Sequence, residues 1–224
     1  MKTVSMKKYQ WAVLDADGTL FDTVNLLINY FGQLLYEAFG LKKKEAAQFS
    51  LLTAGMPLRQ QFKQLLRRRG IAFKDEEING LVDKMHKYSQ DFDARIFDDV
   101  VRFLEYLKSN GKQCFMTSGT PTETLLKRLE QKNLRDFFSG VLGSDQVPKG
   151  PRHIELFAKE TGVSLSEFVS AGCLVGDGPH DMQIAKETGL VAIALVRNKR
   201  NRVIEQRMKE SGADYIIHSL DDLT

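Results

Sequence analysis

Four aspartates that follow two short apolar runs are the residues best suited to chemistry. Asp15 and Asp17 come directly after the run Trp11–Leu14, and Asp177 and Asp181 follow a later apolar run. Carboxylates that meet at one place raise one another's pKa unless a cation lies among them. The chain offers no Cys/His set for zinc, and carboxylate oxygens are the ligands that Mg²⁺ prefers. The aspartates therefore predict a magnesium site.

A hydroxyl-bearing loop and one lysine add groups that could hold an anion. Thr117 and Ser118 follow another apolar run and precede a helical stretch, so hydroxyls and loop N–H groups can form an anion cradle. Lys149 adds a positive charge. A metal ion, a lysine and amide donors around a carboxylate make a site for a phosphate, which an aspartate can attack. Each piece alone has a structural explanation as a turn, a cap or a solvated side chain, and their order along the chain favours the functional explanation.

These residues follow the strands of a predicted α/β fold. Short apolar runs alternate with segments of helical period, which predicts a doubly wound, mainly parallel, Rossmann-type sheet with helices on both faces. In such a sheet, ligands bind outside the carboxyl ends of the strands. The predicted strands are Trp11–Leu14, Gln113–Met116, Ser139–Leu142, Cys173–Val175, Leu190–Val196 and Tyr215–Ile217.

The stretch between the first and second predicted strands breaks this alternation. Residues 23–94 carry three apolar stripes at helical spacing and no convincing strand, which predicts a helical cap above an α/β core formed by residues 1–22 and 95–224. Hinges between the two parts are expected near 21–23 and 93–97. Farther along, Thr120–Glu123 has the pattern of a capping box with a proline at the first helical position.

Composition limits the classes of partner. Among 224 residues, 32 Lys and Arg oppose 29 Asp and Glu for a net charge of +3, which is too weak to indicate nucleic acid. The basic cluster 197–202 leaves RNA binding as a minority alternative. Two cysteines exclude a disulfide framework, no apolar run approaches the ~18 residues of a membrane span, and 1–10 lack a signal-peptide core. We expect a cytoplasmic monomer that binds neither nucleic acid nor membrane.

The motifs together resemble one known family. The segment Asp15–Asp22, with the sequence DADGTLFD, resembles the first motif of the haloacid dehalogenase-like (HAD) phosphohydrolase superfamily. Thr117, Lys149 and Gly176-Asp177 with Asp181 are similar to its second, third and fourth motifs, in the same order. The resemblance covers essentially the whole chain. The helical insert is similar to the cap of phosphoglycolate phosphatase-like and β-phosphoglucomutase-like members.

The resemblance implies a role for each aspartate. Asp15 is similar to the nucleophile that becomes an aspartyl phosphate, and Asp17 to the general acid/base. Asp15, the backbone carbonyl of Asp17, and Asp177 would be the magnesium ligands, with Asp181 behind them or bound through water. The implied function is magnesium-dependent hydrolysis of a small phosphorylated metabolite, such as phosphoglycolate or a sugar phosphate. The second aspartate, Asp17, favours phosphoryl chemistry over dehalogenation.

The resemblance also implies that Thr117, Ser118 and Lys149 hold the transferring phosphoryl group. After Lys149, the chain reads Gly-Pro-Arg where relatives often read Pro-x-Pro, and Lys159 is the rival lysine. Arg59 resembles a cap position that meets the distal part of the substrate, with a solvated helix residue as the alternative. A phosphotransferase such as a sugar-phosphate mutase, and a non-catalytic binding protein, remain alternative functions.

Overall fold

A computed structural model, which describes residues 4–145, 147–198 and 201–224, contains one sheet of six parallel strands. The spatial order is β3-β2-β1-β4-β5-β6. All six predicted strands and the α/β class are therefore confirmed. The strands are β1 Trp11–Asp15, β2 Gln113–Thr117, β3 Gly140–Leu142, β4 Gly172–Gly176, β5 Val191–Leu195 and β6 Tyr215–Ile217.

Central strand β1 lies where the order of the strands reverses, because the chain first adds β2 and β3 on one side and then β4 to β6 on the other. Asp15 pairs in register with Thr117 of β2, and β1 pairs on its other side with β4. In open parallel sheets, ligands bind at this reversal, outside the carboxyl ends of the strands. The topology therefore brings the ends of β1, β2 and β4 to one place.

Helices cover both faces of the sheet. Alternate residues of β1 point to opposite sides, so that Ala12 and Leu14 join one apolar cluster and Val13 joins another. Helices α5 and α6 pack against the first cluster, and α7 to α10 against the second. These helices are α5 Val100–Ser109, α6 Thr122–Gln131, α7 Pro151–Thr161, α8 Leu165–Ser170, α9 Pro179–Thr188 and α10 Arg202–Glu210, with short 3-10 turns at Met6–Lys8, Arg135–Phe137 and Leu220–Leu223.

The segment predicted as a cap contains four helices around an apolar cluster of their own. The rings of Phe31 and Phe62 stack in this cluster with their centroids 4.4 Å apart. The helices are α1 Val24–Phe39, α2 Lys43–Leu52, α3 Leu58–Arg68 and α4 Asp75–Asp91. The three apolar stripes correspond to α1, α3 and α4. Helix α2 had no such stripe, because it buries only Ala46, Phe49 and Ser50.

The two chain crossings between core and cap lie side by side. Phe21 and Ile96 form an isolated antiparallel bridge. The amide of Asp22 donates to the carbonyl of Arg95 at 2.8 Å, and the amide of Phe97 donates to the carbonyl of Leu20 at 3.1 Å.

Within the described residues, none of the helices has both the length and the hydropathy that crossing a bilayer requires.

Candidate active site

A tight turn after β1 brings the first motif against the loop that follows β4. The amides of Leu20 and Phe21 both donate to the carbonyl of Ala16 at 2.9 Å, which closes the turn. Gly18 within it has φ +86, and a Cβ there would lie 2.0 Å from Oδ2 of Asp177. Only glycine combines this backbone conformation with so close an approach. The turn therefore sets Asp15 beside Asp177.

Three carboxylates form an acidic cluster at the ends of β1 and β4. Asp15, Asp177 and Asp181 each offer an oxygen, and these oxygens lie within 4.8 Å of one another. Lys149 Nζ lies 2.6 Å from Oδ1 of Asp15 and 2.6 Å from Oδ1 of Asp181. The Lys149 side chain is 1% exposed, while the rival Lys159 is exposed on α7. The structure thus brings Lys149 into the site despite its altered loop.

Burial and mutual repulsion shift the pKa values in this cluster. Burial raises the pKa of Asp15 to about 7, with the charge of Lys149 opposing the rise and that of Asp181 adding to it. Burial, followed by the charges of Asp15 and Asp181, raises the pKa of Asp177 well above its usual value. Burial alone would lower the pKa of Lys149, but its two carboxylate partners raise it. The cluster holds more negative charge than its single lysine neutralises.

This donor set fits a hard divalent cation. All the clustered side-chain donors are carboxylate oxygens, which suit Mg²⁺ better than they suit softer metals. A bound cation would also stabilise the ionised form of these carboxyls, whose pKa values are raised in its absence. The fit rests on Asp15, Asp177 and Asp181 alone, because the carboxylate of Asp17 points to different partners.

Three donors other than those of the acidic cluster hold the carboxylate of Asp17. The hydroxyls of Thr23 and Thr120 each donate to its carboxylate at 2.7 Å, and Arg128 Nη1 donates at 3.0 Å. Ser118 Oγ lies 3.5 Å away. Burial alone would raise the pKa of Asp17, but the charge of Arg128 and these hydrogen bonds outweigh burial and lower it. Asp17 and Asp15 thus sit in environments that move their pKa values in opposite directions.

Arg128 is the site residue that sequence reasoning missed. It lies on the buried face of α6 between Leu125 and Leu129 and is only 3% exposed. Besides Asp17, its guanidinium reaches the carbonyl of Ser89 in cap helix α4 at 2.6 Å. An arginine in register with an apolar stripe was the available signal, since charged side chains are rarely buried unless they are paired.

The loop after β2 divides its hydroxyls between two tasks. Thr117 Oγ1 lies 2.8 Å from Nδ1 of His153, and Nε2 of His153 lies 2.9 Å from the carbonyl of Val147. Because a carbonyl only accepts, Nε2 carries the proton and Thr117 donates to Nδ1. The Thr117 hydroxyl proton is therefore committed away from the cavity. Ser118 and Thr120 line the cavity in its place.

Helix α6 begins one residue later than expected, so that Thr120 is not its N-cap. The predicted capping box is wrong, because the helix begins at Thr122 with Pro121 as its N-cap, and no side chain of the cap residue bonds the first turn. Asp145 accepts from the amide and hydroxyl of Thr122 at 2.8 and 2.7 Å instead. The Thr120 hydroxyl is thereby available to Asp17.

A cavity of about 120 Å³ lies between the end of the sheet and the helical cap. Its core side contains Asp15, Asp17, Lys149 and Asp177, together with the loop 118–120. Asp181 lies behind this surface and is fully buried. The opposite side comes from the helical cap, and we call its large apolar side chains the cap wall, namely Val24, Leu27, Ile28, Met56, Leu58 and Met85. The uncharged polar side chains of Ser50, Gln61, His86 and Ser89 line the cavity from the same side.

The structure does not bring Arg59 to this cavity. Arg59 is exposed on α3, one residue after Leu58 of the cap wall, and is not among the lining residues. Its charge acts on exposed Asp75, whose pKa it helps Lys63 to lower. The expected contact between Arg59 and substrate therefore has no support in the geometry, and the solvated alternative describes it.

The basic cluster 197–202 is partly built into the core. Arg197 Nη1 donates to Asp99 at 3.0 Å and Nη2 donates to the carbonyl of Thr19 at 2.6 Å. Arg197 thus braces the turn that carries Asp17. Lys199 and Arg200 lie outside the described residues. Because its guanidinium is engaged within the protein, Arg197 does not support the minority alternative of RNA binding.

Comparison with known proteins identifies the family of this chain. A family model described as "Haloacid dehalogenase-like hydrolase" matches residues 12–216, and the chain belongs to that family. A protein of Dickeya dadantii (strain 3937) called "Probable phosphatase IndB" is 27% identical over 191 residues, which cover 82% of this chain and 79% of the relative. A "Phosphoglycolate phosphatase" of Pseudomonas savastanoi pv. phaseolicola is 28% identical over 195 residues, with coverage of 82% and 68%.

The fold is shared with solved structures as well. A hydrolase from Pseudomonas syringae superposes with a TM-score of 0.78 at 19% identity, covering 99% of this chain and 95% of that one. At this identity the likeness shows the fold alone. The family and the fold inferred from the motifs are confirmed, whereas the roles of individual site residues stay predictions.

Proposed function

We propose that this protein is a magnesium-dependent phosphatase that hydrolyses a small phosphomonoester through an aspartyl-phosphate intermediate. The observation that carries the proposal is the position of Asp15. It ends the central strand with Lys149 Nζ at 2.6 Å and two further aspartates within 4.8 Å, and Asp17 lines the same side of the cavity. The named phosphatases among the relatives support the same class of reaction.

The chain's own residues account for each proton and bond. A carboxylate oxygen of Asp15 attacks phosphorus, and the bond from phosphorus to the leaving oxygen breaks. The lowered pKa of Asp17 leaves its carboxylate ionised in the free site, so Asp17 takes up a proton from solvent as the phosphate dianion binds. It gives that proton to the leaving oxygen, takes a proton from the water that attacks the aspartyl phosphate, and returns it to solvent once phosphate has left. Inorganic phosphate leaves, and Asp15 returns to its free carboxylate. Asp17 is suited to this work because Thr23, Thr120 and Arg128 hold it beside Asp15 without joining it to the acidic cluster.

Positive charge and donors would hold the phosphoryl group. Lys149 keeps its ammonium charged because Asp15 and Asp181 raise its pKa, so it can balance phosphate oxygens. Ser118 and Gly119 line the cavity, where the Ser118 hydroxyl and the Gly119 amide would donate to phosphoryl oxygens. The amides of Ser118 and Thr120 donate within the protein, to the carbonyl of Leu142 and to Ser118 Oγ. Asp15, Asp177 and the backbone carbonyl of Asp17 would hold Mg²⁺, with Asp181 behind them. The ion would supply Lewis-acid stabilisation of phosphoryl oxygens.

The cellular setting follows from the same proposal. A cavity of about 120 Å³ suits a small phosphorylated metabolite. We propose that the protein works as a cytoplasmic monomer without nucleic-acid or membrane partners. A single charge class does not dominate its sequence, with 32 basic and 29 acidic residues.

Phosphate release from phenyl phosphate tests the proposal. We expect activity that needs Mg²⁺ and is abolished by a chelator, and a phosphoenzyme that mass spectrometry after rapid quench maps to Asp15. Asp15→Asn should lose activity on the order of 10⁶-fold, while Asp22→Asn, an exposed aspartate in the same motif, should retain it. Full activity after verified metal removal, or phosphate bound to the Asp15→Asn protein, would contradict the mechanism.

A further inference from the structure

The cap wall carries no charged side chain. Its surface consists of aliphatic and thioether groups from α1, α3, α4 and the turn before α3, namely Val24, Leu27, Ile28, Met56, Leu58 and Met85. Among the described residues that line the cavity, every formally charged side chain belongs to the core. The part of the site that would meet the leaving group is therefore uncharged and predominantly apolar, while the part that would meet phosphate is charged.

The polar side chains near the cap wall are mostly paired with one another. Ser50 Oγ donates to Gln61 Oε1 at 3.2 Å, and Gln61 Nε2 donates to the carbonyl of Met56 at 2.7 Å. Ser89 Oγ donates to the carbonyl of His86 at 2.8 Å. The imidazole of His86 also lines the cavity, and burial lowers its pKa, which favours the neutral ring. None of these groups supplies a positive charge at neutral pH.

The cations of the adjacent helix α3 are directed elsewhere. Arg59 is exposed, and Lys63 pairs with Asp75 at 2.8 Å. Arg67 lies over the ring of Phe73 at 5.9 Å and Arg68 over the ring of Phe49 at 5.3 Å, and Arg69, just after the helix, pairs with Glu45. A helix rich in lysine and arginine thus presents Leu58 to the cavity and its charges to other surroundings.

An anionic leaving group would be poorly accommodated in this cavity. Burying a carboxylate or a second phosphate without a partner costs far more than burying a neutral group. Here it would also approach Asp15, Asp17 and Asp177, whose charges repel it. An apolar group would gain by leaving water for the cap wall.

We propose that the leaving group of the substrate is uncharged and predominantly apolar, so that the enzyme selects phosphomonoesters of neutral alcohols or phenols over those bearing a second anion. This inference rests on the proposed phosphatase function and narrows it. It sets this chain apart from the activity named for one of its relatives, because phosphoglycolate carries a carboxylate next to its phosphate ester.

Two matched pairs of substrates test the selection. Phenyl phosphate is compared with 4-carboxyphenyl phosphate, and ethyl phosphate with phosphoglycolate, each in Mg²⁺ with kcat/KM as the readout. We expect the neutral member of each pair to be favoured on the order of 100-fold, as a buried unpaired polar group implies. Equal or greater kcat/KM for the carboxylates would overturn the inference while leaving the phosphatase function intact. No hydrolysis of any of the four esters would instead overturn the phosphatase function.

A charge placed on the cap wall sharpens the test. Leu58 is partly exposed at the start of α3, so Leu58→Arg should fold, and it should shift the kcat/KM ratio of each pair toward the carboxylate by at least tenfold. Leu58→Gln, which is polar without charge, should shift the ratio much less. Ile28→Lys, on α1, repeats the experiment if Leu58→Arg does not fold. An unchanged ratio in a folded cationic variant would show that the leaving group does not meet the cap wall.

Discussion

The two sides of the cavity differ in almost every physical property. The core side presents Asp15, Asp17, Asp177 and the buried Lys149, whose Nζ lies 2.6 Å from Oδ1 of Asp15, whereas the cap wall presents aliphatic and thioether groups. Charges interact strongly in such a poorly solvated place, and an apolar cover excludes water that would weaken them. If the proposed function holds, bond chemistry belongs to the core side and substrate choice to the cap wall. Changes on the core side should alter the rate with every substrate, and changes on the cap wall should alter preference.

Asp17→Asn should produce the largest effect of the remaining tests on the core side. Loss of a general acid/base typically costs about 10²–10⁴-fold, and esters with poor leaving groups should suffer most because they need the proton. Steady-state rates on phenyl and 4-nitrophenyl phosphate measure this. Rapid quench should still detect a phosphoenzyme on Asp15. A complete absence of phosphoenzyme with 4-nitrophenyl phosphate would give Asp17 an earlier role than the one assigned here.

Arg128→Met tests the support beneath Asp17. Breaking a buried ion pair leaves one charge unpaired and costs about 3 kcal/mol of unfolding free energy, and the two side chains here are 4% and 16% exposed. The folded-state pKa of Asp17 is lowered, so the stabilisation is present above the unfolded pKa of about 3.9 and is lost as pH falls through the folded value.

Urea unfolding at pH 7 and at pH 3.5 measures the effect of Arg128→Met. The difference in unfolding free energy between the parent and Arg128→Met should be large at pH 7 and smaller at pH 3.5. Arg102→Met is a matched control, because Arg102 pairs with Asp221 on the surface, where ion pairs contribute little. An equal loss at both pH values would assign the role of Arg128 to packing against Phe21 and Phe92.

Asp177→Asn should be more stable than the parent in chelator, and adding Mg²⁺ should stabilise the parent more than the variant. The folded-state pKa of Asp177 is raised, so its ionisation opposes folding above the unfolded pKa, and this cost is absent below about pH 4. In chelator at pH 7.5, the variant should therefore unfold at least about 2–4 °C above the parent. In Mg²⁺, the parent should gain stability by binding the ion and the variant should gain less. Identical shifts for both proteins in Mg²⁺ would remove Asp177 from the metal site.

Arg59→Ala should have the smallest effect, with kcat/KM changing less than about twofold for neutral and carboxylate esters alike, as for other surface substitutions. Its side chain is exposed and outside the cavity. The adjacent Leu58→Gln provides the contrast, because Leu58 lines the cap wall. A selective loss on carboxylate esters in Arg59→Ala would show that the cap moves far enough to bring this arginine to substrate.

The core side could be predicted from the sequence because its residues lie at strand ends. Asp15, Asp17 and Asp177 follow apolar runs at short spacing, and parallel topology alone brings such positions together. Ser118 and Lys149 were found in the same way. The structure gave Thr117 a different partner from the expected one, because the register of β2 turns its hydroxyl toward His153, which no local pattern encodes.

The cap wall could not be predicted, for a physical reason. Leu58 and Met85 belong to apolar helical stripes that pattern alone cannot separate into core-facing and cavity-facing positions. Arg59, which looked chemically capable, lies one residue from Leu58 and so about 100° around the helix. Arg128 was hidden by its distance in sequence from Asp17, since the pair is separated by 111 positions. Contacts between distant elements, rather than local propensity, decide these positions.

The paired crossings between core and cap have an evolutionary consequence. The chain leaves the core beside Phe21 and returns beside Ile96, where the two crossings are bonded to each other. An insertion whose ends are adjacent can be lengthened, shortened or replaced without separating the strands on either side. The sheet that carries Asp15 can thus be inherited unchanged while inserts of different length and sequence provide different substrate specificities.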